Sequence, residues 1–361
     1  MVKLLWKDKK KGNFKADALK AYNTNFFRSF EINSLEDKRK LKNNLWLNKL
    51  YWADNLDVLL FLVNNDFKEK IDLIYIDPPF FSGANYHIEI ETSEQNYDDI
   101  AYFDQWDKDF DSYLQMLYER IGIMKKLLSK QGLLFVHLDW HASHYIRIIL
   151  DEIFGENRFV NNIIWYYYNK YSAGKKSLPR AHDDILVYSK TDNYTFNELR
   201  IPRKKPRKQL MREMKDGILK NVKDESGHVK YRIVKDKKMD DIWKIPCMQP
   251  ASKEWTGFPT QKHHKLLERI IKLGSNEGDL IADFFCGSGT ALKVAEKLNR
   301  RWIGCDISKY SVYLTRNRIL EFQKQTQKYI PFEILVDFSE SKKNLIESGF
   351  FQKQILIKRK K

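Results

Sequence analysis

Two short segments hold residue types that could do chemistry. The first, Asp77-Pro78-Pro79-Phe80, follows directly on the β-branched apolar run Ile71 to Ile76. Two prolines forbid continuing either strand or helix, so the segment reads as a stiff turn at the carboxyl end of a strand. Such a turn presents one carboxylate, one or two free carbonyls and an aromatic face. That set suits an aromatic ring bearing an exocyclic amine: Asp77 and the Pro78 carbonyl each accept one amine hydrogen while Phe80 stacks on the ring. A proline turn that merely closes a buried strand accounts for the four residues equally well. The second segment is Asp283-Phe284-Phe285-Cys286-Gly287-Ser288-Gly289-Thr290. A buried strand passes through a Gly-x-Gly turn into a helix, and Asp306 ends the next strand, where it can accept both ribose hydroxyls of a nucleoside. The pattern fits dinucleotides and S-adenosylmethionine alike, and structural turns share it. The third glycine of the dehydrogenase fingerprint is missing, because Leu292 stands in its place.

These residues need a sheet to position them. Strand-like runs cover 47–53, 71–76, 133–138, 163–168, 185–188, 280–285 and 302–305. Helical stripes cover 56–64, 112–129, 144–154, 261–273 and 291–298. Strands alternating with helices predict an α/β fold with a largely parallel sheet. The acidic stretch after Phe80, to about Asp109, reads as a long surface loop, the kind usually tied to function. Residues 191–245 show no clean period, carry Pro202 and Pro206, and look inserted. The final thirty residues, ending Lys358-Arg359-Lys360-Lys361, read as a disordered basic tail.

The chain has 361 residues, 43% apolar and 14% aromatic, which excludes a wholly disordered protein and allows two packed units or one domain with a large insertion. No apolar run approaches the roughly 18–20 residues of a membrane span. No signal core opens the sequence, and three scattered cysteines offer neither a disulfide framework nor a zinc knuckle. The expectation is a soluble cytoplasmic protein with no membrane partner. Net charge is +16, and it is segregated. Arg200–Asp240 carries 15 basic against 6 acidic residues, the first fifty residues 13 against 5, and Glu89–Arg120 only 2 against 10. Segregated basic blocks point to a polyanionic partner, nucleic acid above all.

Taken together, the segments resemble the N6-adenine and N4-cytosine DNA methyltransferases, in the permuted (beta) class with the catalytic motif ahead of the cofactor motif. The resemblance covers about residues 45–320. Asp77-Pro78-Pro79-Phe80 looks like the catalytic tetrapeptide and Asp283 to Thr290 like the cofactor loop. His182-Asp183-Asp184-Ile185-Leu186-Val187-Tyr188-Ser189-Lys190 resembles the strand before the target-recognition region. Phe258-Pro259-Thr260-Gln261-Lys262 resembles the segment that leads into the helix before the cofactor strand. All four occur in the family's order. Two departures are His263, where proline usually follows Gln-Lys, and Asp183, where glutamate commonly follows the histidine.

The resemblance implies a Rossmann-like mixed sheet with helices on both faces and an inserted target-recognition region. The implied division is a basic N-terminal arm (1–45), a catalytic half (46–190), the recognition region (191–250), a cofactor-binding half (251–325) and a C-terminal extension (326–361). Asp77, Pro78, Pro79 and Phe80 would act on the target amine. S-adenosylmethionine would be held by Asp283, Phe285, Gly287, Gly289, Thr290 and Asp306. Asp54 would accept from the cofactor's adenine amine, or else cap the following helix. Thr260 and Lys262 would reach the methionine carboxylate, or else simply begin a helix. Arg203, Lys204, Lys205, Arg207 and Lys208 would grip phosphates of double-stranded DNA. An Asp at the first catalytic position resembles the adenine enzymes more than the cytosine ones, which usually carry Ser. A homodimer and a separate restriction endonuclease are both compatible with the resemblance, and no metal is required.

Other readings fare worse. Pro246-Cys247 resembles the nucleophile of cytosine-C5 methyltransferases, but it lies between recognition region and cofactor motif with no matching Glu-Asn-Val. His137, His141, His144 and His182 lack a cysteine and any zinc-like spacing, so satisfied, partly buried histidines are the better reading. A nicotinamide dehydrogenase would need the absent glycine. A silent DNA-binding subunit need not keep Asp77, Phe80 and the glycine turn. An RNA substrate is the remaining alternative to DNA.

Overall fold

The computed structural model describes residues 2–7, 9–10, 26–31, 46–81, 85–91, 96–103, 109–170, 176–337 and 356–358. They fall in two compact units, one drawn from Met1–Phe196 with Ile242–Lys361 and the other Asn197–Asp241.

The larger unit opens with β1 (Phe26–Glu31), β2 (Asn48–Trp52), helix α1 (Asn55–Asn64) and β3 (Ile71–Ile76). The hairpin β4 (Asn85–Glu91) and β5 (Asn96–Phe103) follows, then α2 (Phe110–Leu127), β6 (Leu128–Leu138), α3 (Ser143–Phe154), β7 (Phe159–Tyr166) and β8 (His182–Ser189). The smaller unit holds β9 (Arg200–Leu210), β10 (Arg212–Lys215), β11 (Ile218–Asn221) and β12 (Tyr231–Lys238). The chain then returns through β13 (Ile242–Lys244), α4 (His264–Gly274), β14 (Leu280–Asp283), α5 (Thr290–Lys297), β15 (Arg301–Asp306), α6 (Lys309–Thr326), β16 (Phe332–Asp337) and β17 (Leu356–Lys358).

Ten of these strands form one sheet in the order β1-β16-β2-β15-β14-β3-β6-β8-β7-β13. β16, β2, β15, β14, β3 and β6 run parallel. β8 is antiparallel to both β6 and β7, and β1 to β16. Central strands buried on both faces must be apolar at consecutive positions, as Leu73-Ile74-Tyr75-Ile76 and Leu133 to Val136 are. Ile74, Ile76, Leu134 and Val136 join the core formed with α1, α2 and α3. On the opposite face Gly274, at the end of α4, lies against Leu73 and Phe135. The fold is thus a mixed, mostly parallel α/β sheet with helices on both faces, as expected. No described helix is long and apolar enough to cross a membrane.

Three expectations are corrected. The acidic stretch read as a loop contains the antiparallel hairpin β4–β5, paired over Asn85–Phe103. Tyr86, Ile88 and Ile90 alternate with Glu89 and Glu91, a strand period that the acid count obscured. The tail read as disordered contributes β17, antiparallel to β4. Residues 191–245, read as without period, contain two antiparallel strand pairs, β9 with β12 and β10 with β11, and the strand β13. In the stretch read as an N-terminal arm, β1 is a sheet edge, and Trp6 packs edge-on against Tyr118 with ring centroids 5.6 Å apart. In the stretch read as a C-terminal extension, β16 is a sheet strand beside β2. In these stretches residues 11–25, 32–45, 82–84, 92–95, 104–108, 338–355 and 359–361 lie outside the described residues.

Candidate active site

Because β2, β3, β14 and β15 run parallel, the acids that follow or end them emerge at one edge of the sheet. That edge holds a cavity of about 430 Å³ lined by Asp54, Asp77, Asp283, Asp306, Thr260, Lys262 and Phe285, together with Arg120 and Phe258. Gly287, Ser288 and Thr290 also line it.

The glycine turn is built so that backbone faces the cavity. Gly287 and Gly289 have φ of +49° and +71°, conformations that side-chain-bearing residues rarely adopt. A Cβ on Gly289 would lie 2.4 Å from Thr315 Oγ1. Asp306 ties the turn to the sheet: one carboxylate oxygen accepts from Gly287 N at 2.8 Å and the other from Ser308 N at 2.9 Å. Thr290, the first residue of α5, bonds Ser288 Oγ at 3.0 Å and receives a guanidinium N–H from buried Arg318, also at 3.0 Å. Burial lowers the Arg318 pKa to about 10, and its second contact is the Ser288 carbonyl. Asp283 is 2% exposed and its Oδ1 accepts from Phe285 N. Burial pushes its carboxyl well above the usual range, and the charges of Asp77 and Asp306 push the same way. Burial likewise raises the Cys286 thiol.

Asp54 does cap α1, accepting from Leu56 N at 2.7 Å, and the same oxygen pairs with Arg120 at 3.0 Å. It also lines the cavity, so the capping reading holds alongside its placement at the site. Thr260 and Lys262 do not begin a helix, since α4 starts at His264 with His263 as its N-cap. Lys262 instead reaches across to β3, where its ammonium pairs with Asp77 Oδ2 and lies 5.1 Å from the centre of the Phe80 ring.

The catalytic-type turn is held from below. Phe81, just beyond it, adopts φ +59° and is packed against Phe110 and Tyr113 at 5.0 and 5.6 Å. Such a left-handed aromatic persists only where its neighbours over-determine it. Beneath Phe80 lies His137, fully buried, with ring centroids 5.9 Å apart. His137 Nδ1 meets the Tyr75 hydroxyl at 2.9 Å and Nε2 meets Asp183 at 3.2 Å, so it is the satisfied buried histidine that its sequence context suggested. The Tyr167 hydroxyl donates to the other Asp183 oxygen at 3.1 Å. Burial opposes charge on Asp183. The hydrogen bond and charge of His137, the Lys262 charge and the Tyr167 hydroxyl outweigh it and hold the Asp183 pKa below its usual value. Asp77 Oδ1 is buried and has no hydrogen-bond partner among the described residues; His137 Nδ1 stands 3.8 Å away.

Sequence reasoning missed Arg120, Arg318 and the role of His137 with Asp183. Their significance lies in tertiary contacts, and α6, which carries Arg318, was not recognised as a helix. The five basic residues expected to meet DNA all lie on β9 in the smaller unit. Lys204, Lys205, Arg207 and Lys208 are exposed, whereas Arg203 is half-buried and donates to the Asp236 carbonyl at 2.9 Å. Among the described residues no group of three or more His, Cys, Asp or Glu is placed to hold a metal ion.

A mostly parallel sheet flanked by helices, with a cavity and a glycine turn at its strands' carboxyl ends, is the Rossmann-like class of α/β fold. The chain belongs to the N6/N4 DNA methylase family, which it matches over residues 71–317, and is a DNA methyltransferase of the N6-adenine or N4-cytosine type. It is 31% identical over 258 residues to the type II methyltransferase M.HpaI of Haemophilus parainfluenzae, covering 70% of this chain and 69% of that one. Identity to the DNA adenine methyltransferase YhdJ of Escherichia coli strain K12 is 27% over 252 residues, covering 70% and 76%. The M1.HpyAVI–SAM complex superposes with a TM-score of 0.49 at 21% identity, covering 75% of this chain and 98% of that one.

Proposed function

We propose that the protein methylates the N6 amine of an adenine flipped out of duplex DNA, with S-adenosylmethionine as methyl donor. The observation that carries this reading is Asp77 Oδ1. A buried acceptor left without a donor costs about 1–3 kcal/mol, so its retention on a residue that lines the cavity supports a donor brought by substrate. An exocyclic amine supplies that donor. Asp77 and the Pro78 carbonyl accept its two hydrogens, Pro79 keeps the turn stiff, and Phe80 stacks on the base. Drawing both hydrogens toward acceptors localises the nitrogen lone pair, and fixed geometry does much of the remaining work. Flipping costs a few kcal/mol, offset by stacking and by phosphate contacts.

The cavity suits the cofactor in size and donor set. Asp306 and Asp54 would accept its hydroxyls and adenine amine. Gly287 and Gly289 allow close approach, with Asp283, Phe285 and Thr290 in the cavity lining. Thr260 and Lys262, which line the cavity, would donate to the methionine carboxylate. When bound, S-adenosylmethionine supplies a methyl group made electrophilic by a positively charged sulfur.

Adenine is preferred to cytosine because the first catalytic position is Asp, and the YhdJ relative is named as an adenine enzyme. Residues 191–250 act as the target-recognition region between the catalytic half (46–190) and the cofactor half (251–325), with Arg203, Lys204, Lys205, Arg207 and Lys208 on phosphates. The type II relatives favour a role beside a separate restriction endonuclease, and a homodimer is compatible with the chain.

The test is transfer of labelled methyl from S-adenosylmethionine to mixed-sequence genomic DNA, followed by nucleoside analysis. Label in N6-methyladenine is expected, falling at least 100-fold in Asp77→Ala while DNA binding persists. Label in N4-methylcytosine would overturn the adenine assignment. Absence of label with DNA still bound would favour a silent recognition subunit.

A further inference from the structure

β3 divides the functional edge of the sheet in two. On one side, β14, β15 and β2 end in the acids of the cavity, Asp283, Asp306 and Asp54. On the other side lie β6, β8, β7 and β13. β6, β7 and β13 run in the same direction as β3, so their carboxyl ends open at the same edge as Asp77. β8 is antiparallel and brings its amino end there.

That second half is aromatic and cationic, and it faces solvent. Trp140, two residues beyond β6, is 43% exposed; Tyr166 and Tyr168, at the end of β7, are 38% and 47% exposed. Alternation along the strand explains why these tyrosines face outward while Trp165 and Tyr167, which alternate with them, are buried. Each exposed ring meets a cation. The Arg180 guanidinium lies 3.6 Å from the centre of the Trp140 ring. Lys244 Nζ lies 5.0 Å from the Tyr168 ring and 6.0 Å from the Tyr166 ring. The elements are contiguous: Tyr167 N donates to Ala181 O, which sets Tyr168 beside Arg180, and Lys244 pairs with Tyr166 across β13 and β7. The neighbouring acid, Asp139, is engaged by His141 Nδ1 at 2.6 Å.

We infer that Trp140, Arg180, Tyr166, Tyr168 and Lys244 form a DNA-contacting ledge on the catalytic unit itself, seating the strand that flanks the target base. The inference rests on the methyltransferase reading and assigns a surface that this reading leaves open. Exposed rings accept base or sugar faces and their paired cations take phosphates, the combination that nucleic acids select. Arg180 and Lys244 put two exposed cations on this half of the edge, which favours a polyanion there. Strands spaced about 4.8 Å apart place β13 roughly 19 Å from β3, a reach of about five to six nucleotides at 3.4 Å each. A base entering over Phe80 therefore comes from a strand lying along this ledge.

The experiment measures binding of a mixed-sequence 30-base-pair duplex by fluorescence anisotropy across a salt series. It compares wild type with Trp140→Ala, with Arg180→Gln/Lys244→Gln, and with the triple variant. The triple variant is expected to bind at least 10-fold more weakly, with S-adenosylmethionine affinity unchanged. In the double variant the slope of log affinity against log salt should shrink by about 1.8, the loss of two phosphate contacts. Trp140→Phe, which keeps a stacking face, should bind as wild type does. A triple variant with wild-type duplex affinity and salt slope would overturn the ledge while leaving the methyltransferase reading intact. A wild type that neither binds nor methylates duplex DNA would overturn both.

Discussion

Asp283 couples the candidate site to folding through a single proton. Its carboxyl is held well above the ordinary range, first by burial and then by the charges of Asp77 and Asp306. The folded chain therefore keeps a proton that the unfolded chain releases near pH 4. With more protons bound in the native state, this group's contribution is complete below about pH 4 and is lost as pH rises toward the raised value. Asp283→Asn removes the titration but keeps an oxygen for Phe285 N. Urea midpoints measured from pH 4.5 to 7.5 should fall more steeply with pH in wild type than in the variant. Parallel curves would show that Asp283 is not the group responsible. His137 and Asp183 show the complementary arrangement, in which burial is outweighed by partners and the charge of Asp183 is retained beneath the catalytic-type turn.

Among the elements, the glycine turn between β14 and α5 is the least tolerant of change. Gly289→Ala must adopt φ +71° with a Cβ placed 2.4 Å from Thr315 Oγ1. Backbone strain alone costs about 1–3 kcal/mol, and the clash forces α6 away from the turn. Thermal unfolding should show a lowered Tm, and calorimetry at least a 10-fold loss of S-adenosylmethionine affinity; unchanged affinity would show that the turn does not face the cofactor. This turn was legible in sequence, as were Asp77 to Phe80 and Asp306, because strand, turn residue and acid are contiguous along the chain. β3, β6 and β15 were equally plain, since a strand buried on both faces reads as an unbroken apolar run. α6 was missed: its buried residues include Ser311, Thr315, Arg318 and Gln323, so its inward face lacks an apolar period. β16 was missed although its residues Phe332, Ile334, Leu335 and Val336 are buried, because Glu333 interrupts the run, itself buried and paired with Lys49. Arg120, Arg318 and Asp183 acquire meaning only from partners distant in sequence, which periodicity does not register.

At the scale of the whole molecule, Asn197–Asp241 is closed on itself. β9 and β12 pair along their length, Met239 N donates to Leu199 O, and Lys238 pairs with Glu198, so the segment's two ends lie side by side. Replacing it by a short Gly-Ser linker should leave the larger unit folded, with S-adenosylmethionine affinity within about twofold of wild type by calorimetry, while site-specific methylation is lost. Collapse of cofactor binding would show instead that the larger unit depends on it. The closed ends also bear on descent. Among the described residues β9 pairs with β12 and β10 with β11 in sheets of their own, so the segment and the methyl-transfer core can diverge at separate rates. On the proposal that this segment reads the target sequence, one recombination event there gives a lineage a new target with the chemistry inherited unchanged.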